Sequence, residues 1–184
     1  GNESSFRIWQ RIIERETPRV LFINGMDLAD SNFENTLHDV EQKFSVKPVV
    51  LQIPWIKNGK LEGVIDILDK KLITGVTGKQ SIAEVPDELK DNVEIYRSTT
   101  IESLAEIDDE LMEYFIEEKE PPIELLKKTL AQGVTNLKLT PVLTGSAKQQ
   151  IGVEPLSEFV NTYFLSHQEG APWLAKESTD PEAE

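Results

Sequence analysis

Two apolar segments that lie far apart in the chain constrain the fold more than any other feature. The first, Pro18–Asp27, reads PRVLFINGMD, and the second, Leu139–Lys148, reads LTPVLTGSAK. Each begins as an apolar run suited to a buried strand and stops at small and polar residues. Because parallel strands present side chains to ligands at their carboxyl ends, these stops predict a binding edge in an α/β fold.

Length and composition set the class of protein. The chain has 184 residues, of which 39% are hydrophobic, and it contains no cysteine. This length and composition predict one packed domain, or one domain with an insertion. The lack of cysteine excludes disulfides and thiolate metal sites and is compatible with a reducing compartment. No segment reaches the roughly 20 apolar residues of a membrane helix, so we expect a cytoplasmic protein with no membrane contact.

The charge of the chain restricts its partners. The formal net charge is −14 at pH 7. A strongly acidic surface repels phosphate backbones, so direct DNA binding is not expected. A basic protein partner is favoured instead. The alternative is that the acidity only keeps the protein soluble.

The spacing of apolar residues predicts alternating strands and helices. The second apolar segment is expected to form a buried strand from about Leu137 to Thr144. The Asn58-Gly59 pair predicts a hairpin turn. The other predicted elements are a helix at 5–16, a strand at 20–23, a helix capped by Ser31, strands at 48–55 and 61–72, a loop or weak strand at 73–85, one long helix from Pro86 to about Lys119, a helix from Ile123, and a closing helix at 153–165.

These elements suggest a nested organisation. Residues 1–46 and 135–168 have strand-to-helix character and are expected to form one α/β unit. Residues 47–134 are expected to be an inserted α+β subdomain made of a hairpin and two helices. Residues 169–184 are polar, end in acidic residues, and are interpreted as a tail or linker.

Four segments in this order resemble the translational GTPases, and within them proteins of the elongation factor G type. They are Pro18–Phe33, Pro48–Leu72, Ile101–Glu113 and Gly145-Ser146-Ala147. The resemblance extends from about Trp9 to Leu165. It implies part of a P-loop GTPase-like three-layer sheet, the C-terminal portion of the GTPase domain, with its inserted subdomain.

The resemblance also implies a pocket for a guanine base. Asn24-Gly25-Met26-Asp27 stands where the family has Asn-Lys-x-Asp. Asp27 would then accept two hydrogen bonds from the N–H edge of guanine, and Asn24 would tie the loops together. Ser146, Ala147 and Lys148 match the second family motif, in which a backbone N–H meets the guanine oxygen.

Two considerations weigh against nucleotide binding. Gly25 replaces the family lysine, which removes an apolar contact and a cation. Asn, Gly and Asp are also common in strand-to-helix turns for backbone reasons alone. Gly145-Ser146-Ala147 could be only the lead-in to a helix, so each motif also has a purely structural explanation.

The phosphate-binding motifs of the family are missing from the 184 residues. Neither Gly-x-x-x-x-Gly-Lys-Ser/Thr nor Asp-x-x-Gly occurs, and the nearest segment, Gly75–Gln80, has the wrong spacing. We therefore expect no catalytic or metal-binding residues and no GTP hydrolysis by this chain alone. GTP or GDP would bind only to a complete protein. The strand at 19–23 would have a bare apolar edge, so a missing GTPase portion is expected from the same gene or a partner chain, or otherwise self-association.

An acidic stripe marks a second candidate surface. Glu102, Glu106, Asp109, Glu113 and Glu117 recur at helical spacing. Like charges at these spacings destabilise a helix by about 0.2–0.5 kcal/mol per pair, which suggests a use such as docking a basic surface. The resemblance implies that the first four residues contact the basic C-terminal domain of the ribosomal stalk protein. The alternative is a solvated helix face.

Two functions remain open at this point. The chain is either a fragment of a ribosomal translocase or ribosome-protection factor, which uses GTP when complete, or a GTPase-derived interaction module. The second would bind no nucleotide and have no ribosomal role.

Overall fold

The computed structural model describes residues 7–9, 20–27, 32–44 and 47–165. None of the helices in these ranges has the length and apolar character needed to span a membrane. The strands are β1 (Arg7–Trp9), β2 (Val20–Ile23), β3 (Pro48–Val50), β4 (Gln52–Lys57), β5 (Lys60–Asp66), β6 (Lys71–Thr74), β7 (Ser81–Glu84) and β8 (Thr140–Thr144). The helices are α1 (Phe33–Phe44), α2 (Lys90–Ala105), α3 (Asp109–Ile116), α4 (Ile123–Thr135) and α5 (Val153–Val160).

The first sheet confirms the predicted parallel arrangement of the two apolar segments. Its strand order is β1-β2-β8-β3, with β8 parallel to both β2 and β3. Leu21 of β2 lies opposite Val142 of β8, and all residues of both strands are buried. The carboxyl ends of β2 and β8 therefore meet at one edge of the sheet.

The edge of β2 is not bare, so this part of the sequence prediction was wrong. Arg7–Trp9, expected within a helix at 5–16, forms β1 and pairs antiparallel with Val20–Phe22. The pairing satisfies backbone groups of β2 that an open edge would leave unpaired. The rest of the predicted helix lies outside the described residues, as does the predicted tail at 169–184.

The predicted strand at 48–55 is divided between two sheets. Pro48–Val50 pairs with β8, whereas Gln52–Lys57 pairs with β5. Leu51 links the sheets, since its N–H donates to the Val142 carbonyl (3.0 Å) and its carbonyl accepts from the Ile67 N–H (2.9 Å). Apolar patterning does not reveal this change of sheet, because residues on both sides of Leu51 are equally buried.

The second sheet is an antiparallel meander in the order β4-β5-β6-β7. The predicted strand at 61–72 is two strands, separated by a turn in which the Asp69 N–H donates to Asp66 Oδ1 at 2.8 Å. The segment at 73–85, predicted as a loop or weak strand, contains the strand β7. The region at 47–134 thus holds more than the expected hairpin and two helices, since it contains α2, α3 and all of α4 except the last residue.

The long helix predicted from Pro86 to Lys119 is two helices. α2 ends at Ala105, and α3 begins after Asp108, whose carboxylate accepts a hydrogen bond from the Leu111 N–H at 2.9 Å. An aspartate that caps a new helix competes with continuation of the previous one. The acidic residues therefore do not form one continuous helical stripe.

Two other helix ends differ slightly from prediction. At the start of α1, the side chain of Asn32 accepts from the Asn35 N–H at 2.9 Å, while the predicted cap, Ser31, lies outside the described residues. The closing helix is regular only to Val160 and continues as a π-helical turn over Asn161–Leu165.

The fold has helices on both faces of the first sheet. Val20 and Phe22 of β2 pack in a core with residues of α4 and α5, whereas Leu21 and Ile23 pack in a second core with residues of α1. Both cores also contain residues of the inserted region, such as Leu104 in the first and Ile65 in the second. The insert is therefore packed into the same body as the three-layer sheet.

Candidate functional site

The two predicted recognition segments meet at the carboxyl ends of β2 and β8. The Gly145 N–H donates to the Ile23 carbonyl, and the Met26 N–H donates to the Gly145 carbonyl, both at 3.2 Å. Behind them, the Thr144 hydroxyl donates to the Ile23 carbonyl at 2.9 Å. The backbone hydrogen bonding between the two parallel strands thus continues past their ends. These bonds hold the loop at 24–27 against the loop at 145–151.

Asn24 connects the two loops through its side chain. Its Oδ1 accepts a hydrogen bond from the Ala147 N–H at 2.8 Å. The carboxylate of Asp27 is partly exposed on the same edge and accepts from Gln149 Nε2 at 3.4 Å. Asn24, Asp27 and Ala147 therefore lie together, although they are far apart in the chain.

The three residues of the second motif have different environments. Ser146 is fully buried, and its N–H donates to the Ile151 carbonyl at 2.8 Å. The Ala147 N–H is bonded to Asn24, whereas the exposed Lys148 has no hydrogen bond from its N–H to any of the described residues. Lys148 N–H is thus the backbone donor of this motif that has no acceptor among the described residues.

Gln149 is a site residue that sequence reasoning missed. Its side-chain Nε2 donates to one carboxylate oxygen of Asp27 at 3.4 Å. A glutamine in an exposed loop has no periodicity or motif that would single it out. Only the fold brings it to Asp27.

Gly25 has a backbone reason for being glycine. Its φ is +84°, in the left-handed region that residues with a Cβ rarely adopt. The loop conformation at 24–27 therefore favours glycine here independently of any ligand.

The acidic residues lie on two consecutive helices. Glu102 is in α2, Glu106 follows its end, and Asp109 and Glu113 are in α3; all four are exposed. Glu106 forms an ion pair with Lys47, and Glu117 forms one with Lys119 at 2.9 Å. This group of four, called the acidic face below, is therefore partly neutralised at Glu106.

A third polar region lines a cavity of about 250 Å³ between the second sheet, α4 and α5. Burial raises the pKa of Asp66 to about 6, and burial together with the Asp66 and Asp69 carboxylates raises the pKa of Tyr163 to about 12. Lys127 pairs with Asp69 at 3.3 Å. Within the described ranges, no group of three acidic, His or Cys side chains is arranged to hold a metal ion.

Comparison with known proteins identifies the class. Residues 2–166 match the family described as the elongation factor Tu GTP binding domain, and the chain belongs to this family.

The individual relatives are more specific. The chain is 35% identical over 156 residues to elongation factor G of Aquifex pyrophilus. This alignment covers 83% of this chain and 22% of the relative. It is 34% identical over 162 residues to elongation factor G of Mycoplasma pneumoniae, covering 86% of this chain and 24% of the relative. It therefore spans about a quarter of the length of these relatives.

A solved structure of a protein from Thermus thermophilus has the same fold. It superposes with a TM-score of 0.70 at 28% sequence identity and covers 82% of this chain and 23% of the other. The resemblance to a translational GTPase, stated above from the sequence, is confirmed, and so is the fold class of a partial GTPase sheet with an inserted subdomain.

Proposed function

We propose that the chain is the base-recognition part of an elongation factor G-type GTPase, acting in translation on the ribosome in the cytoplasm. The supporting observation is the convergence of Asn24, Asp27 and the Ala147–Lys148 backbone at the carboxyl edge of two parallel strands. A guanine base would place its N–H donors on Asp27 and its carbonyl oxygen on the Lys148 N–H. Asn24 would hold the two loops at the required spacing.

Base binding through this site is expected to be weak. The base would displace Gln149 from Asp27, and the 184 residues contain no Gly-x-x-x-x-Gly-Lys-Ser/Thr segment to hold phosphates. GTP or GDP would therefore bind with useful affinity only when a phosphate-binding portion is supplied by the same gene or a partner chain. For the same reason we propose that this chain alone does not hydrolyse GTP.

Titration with guanosine, followed by amide chemical shifts, tests the base site. We expect guanosine to shift the resonances of the loops at 24–27 and 145–151 with a Kd of about 1–10 mM, because a few hydrogen bonds must offset the loss of ligand freedom. Asp27→Ala is expected to abolish the shifts. Gln149→Ala is expected to strengthen binding about twofold, since it removes one exposed competing hydrogen bond.

Two controls make the titration specific. Adenosine, which lacks the paired N–H donors of guanine, should leave these loops unchanged, and Asp91→Ala removes an exposed aspartate on α2 without affecting the site. Equal shifts with adenosine, or full guanosine binding by the Asp27→Ala variant, would contradict the proposal.

A second candidate function is an interaction module that binds no nucleotide. It is favoured by the internal bonding of the recognition groups, since Asp27 is bonded to Gln149 and Ala147 N–H to Asn24. Gly25, which stands in place of the family lysine, also favours a module that binds no nucleotide. Absence of any guanosine-induced shift in the wild-type chain would select this function.

We also propose that the acidic face docks a basic protein, for which the ribosomal stalk protein is the first choice. Its four carboxylates are exposed, and their charge suits a basic surface or helix. Lys47 already forms an ion pair with Glu106, so it would compete with a basic partner for this carboxylate. The break between α2 and α3 means that a partner would contact the ends of two helices.

Charge reversal tests this docking. Glu102→Lys combined with Glu106→Lys is expected to weaken stalk-protein binding at least about tenfold and to reduce its salt dependence, because two attractive contacts become repulsive. Binding would be measured by calorimetry at two salt concentrations. Lys47→Gln is expected to strengthen binding slightly by freeing Glu106.

The matched control is Glu88→Lys combined with Asp91→Lys. It changes net charge by the same amount at exposed positions near the other end of α2. If both double variants weaken binding equally, only overall charge matters, and the acidic face is not the docking surface.

A further inference from the structure

The backbone of Ala147 is held by hydrogen bonds at both its N–H and its carbonyl. Its N–H donates to Asn24 Oδ1 at 2.8 Å. Its carbonyl accepts from the Gln150 N–H at 3.2 Å and from Gln150 Nε2 at 2.8 Å. Since Ala147 to Gln150 are all exposed, hydrogen bonds rather than apolar packing fix this loop.

Gln150 is itself held by the turn between β6 and β7 in the inserted region. The Thr77 N–H donates to the Gln150 carbonyl at 3.1 Å, and the Thr77 hydroxyl donates to Gln150 Oε1 at 3.1 Å. The next residue of the turn, Gly78, donates its N–H to Glu154 Oε2 at 2.9 Å. Three hydrogen bonds thus connect the insert to the loop and helix that follow β8.

We propose that Thr77 and Gln150 are positioning residues that hold the Ala147–Lys148 backbone in place for a ligand. Gln150 suits this role because its amide donates to Ala147 while accepting from Thr77, which a carboxylate or an apolar side chain cannot do. The proposal rests on the base site proposed above, and assigns to the inserted region a part in that site. Thr77, Gly78, Gln150 and Glu154 are called the insert brace below.

The insert brace completes a continuous hydrogen-bonded path. It runs from Asn24 through Ala147 and Gln150 to Thr77, and so joins both recognition loops to the second sheet. A loop held in its binding conformation loses less conformational freedom when a ligand arrives. The brace therefore favours a preformed site over one that orders on binding.

Residue-resolved hydrogen exchange of the full chain tests the brace without any ligand. Thr77→Val removes only the hydroxyl, and Gln150→Glu keeps the acceptor but removes the donor to Ala147. Each is expected to accelerate exchange of the Ala147 N–H by about threefold to tenfold, as expected for loss of one hydrogen bond. The Ile65 N–H, in the buried centre of β5, reports global opening and should stay unchanged.

Gln132→Glu is the matched control, since it makes the same chemical change on the exposed face of α4. Unchanged Ala147 exchange in both brace variants would overturn the proposal. Acceleration of Ile65 to the same extent as Ala147 would also overturn it, because the effect would then be global destabilisation.

Guanosine titration of the same variants separates this inference from the proposed function. Weaker guanosine binding together with faster Ala147 exchange supports both. If the wild-type chain binds no guanosine, the base site fails, and the exchange data still decide whether Thr77 and Gln150 hold the loop.

Discussion

Gly145→Ala is expected to lower the free energy of unfolding by about 3 kcal/mol, as for severe overpacking against backbone. A Cβ at this position would lie 2.1 Å from the Ile151 carbonyl oxygen. That oxygen accepts the Ser146 N–H, so the clash is relieved only by separating the two ends of the loop at 146–151. Thermal unfolding followed by circular dichroism would measure the loss of stability. Guanosine binding would be measured on the same variant.

Gly59→Ala is the control for Gly145→Ala. Gly59 also has a positive φ, of +76°, but a Cβ there meets nothing within 4 Å. Its replacement should show only the backbone strain of a left-handed residue, about 1 kcal/mol. Equal destabilisation by the two variants would show that the contact between Gly145 and Ile151 is unimportant.

Arg97→Ala is expected to have a similarly large effect, again about 3 kcal/mol, because it removes a buried side chain and its polar contacts. The side chain of Arg97 is only 4% exposed, with Nη1 2.7 Å from Glu120 Oε1 and Nε 3.4 Å from the Leu68 carbonyl. It joins α2 to the β5–β6 turn and to the segment before α4. Denaturant unfolding would measure the change in stability.

Two comparisons define the source of the Arg97 effect. Glu120→Gln keeps an acceptor for the guanidinium and should destabilise by about 1 kcal/mol. Lys128→Ala, on the exposed face of α4, should change stability by less than about 0.5 kcal/mol. A loss below about 1 kcal/mol for Arg97→Ala would contradict a stabilising role for the contacts of this buried side chain, whose ion-pair partner Glu120 is itself 63% exposed.

Apolar patterning predicts the strands that are buried on both faces and misses features set by pairing. β2 and β8 are evident from the sequence because a run such as Val20–Ile23 is apolar throughout. The strand at Arg7–Trp9 lies in a segment predicted as helix, since three residues are too few to show a period of two. The division at Leu51 depends on the hydrogen-bond partners of its backbone N–H and carbonyl, which belong to different sheets. A side-chain pattern contains no information on these partners.

The helix break at Asp108 shows a different limit. Glu102 to Glu117 keep helical spacing across it, so periodicity alone favours one helix. The break depends on a single local choice, the bond from the Leu111 N–H to the Asp108 carboxylate. Aspartate is compatible with both a cap and an exposed helix position, and only the packed structure decides between them.

The candidate site was predictable only where a motif named its residues. Asn24, Asp27 and Ala147 follow from two short motifs, and the structure brings them together. Gln149 and Thr77 contact the same edge but belong to no motif. Their role depends on loop geometry and on the position of the insert, neither of which follows from residue type.

The parallel pairing of β2 with β8 has a consequence for how the chain folds during synthesis. The bonded residues Ile23 and Thr144 are 121 positions apart. At about 5–20 residues per second, ribosomes would make β8 roughly 6–24 s after β2. Through that interval β1 is the only sheet neighbour of β2 available among the described strands, and closing so long a loop slows the final step. The buried strand β2 must therefore wait for its parallel neighbour, with that edge unpaired, until the whole insert has been made.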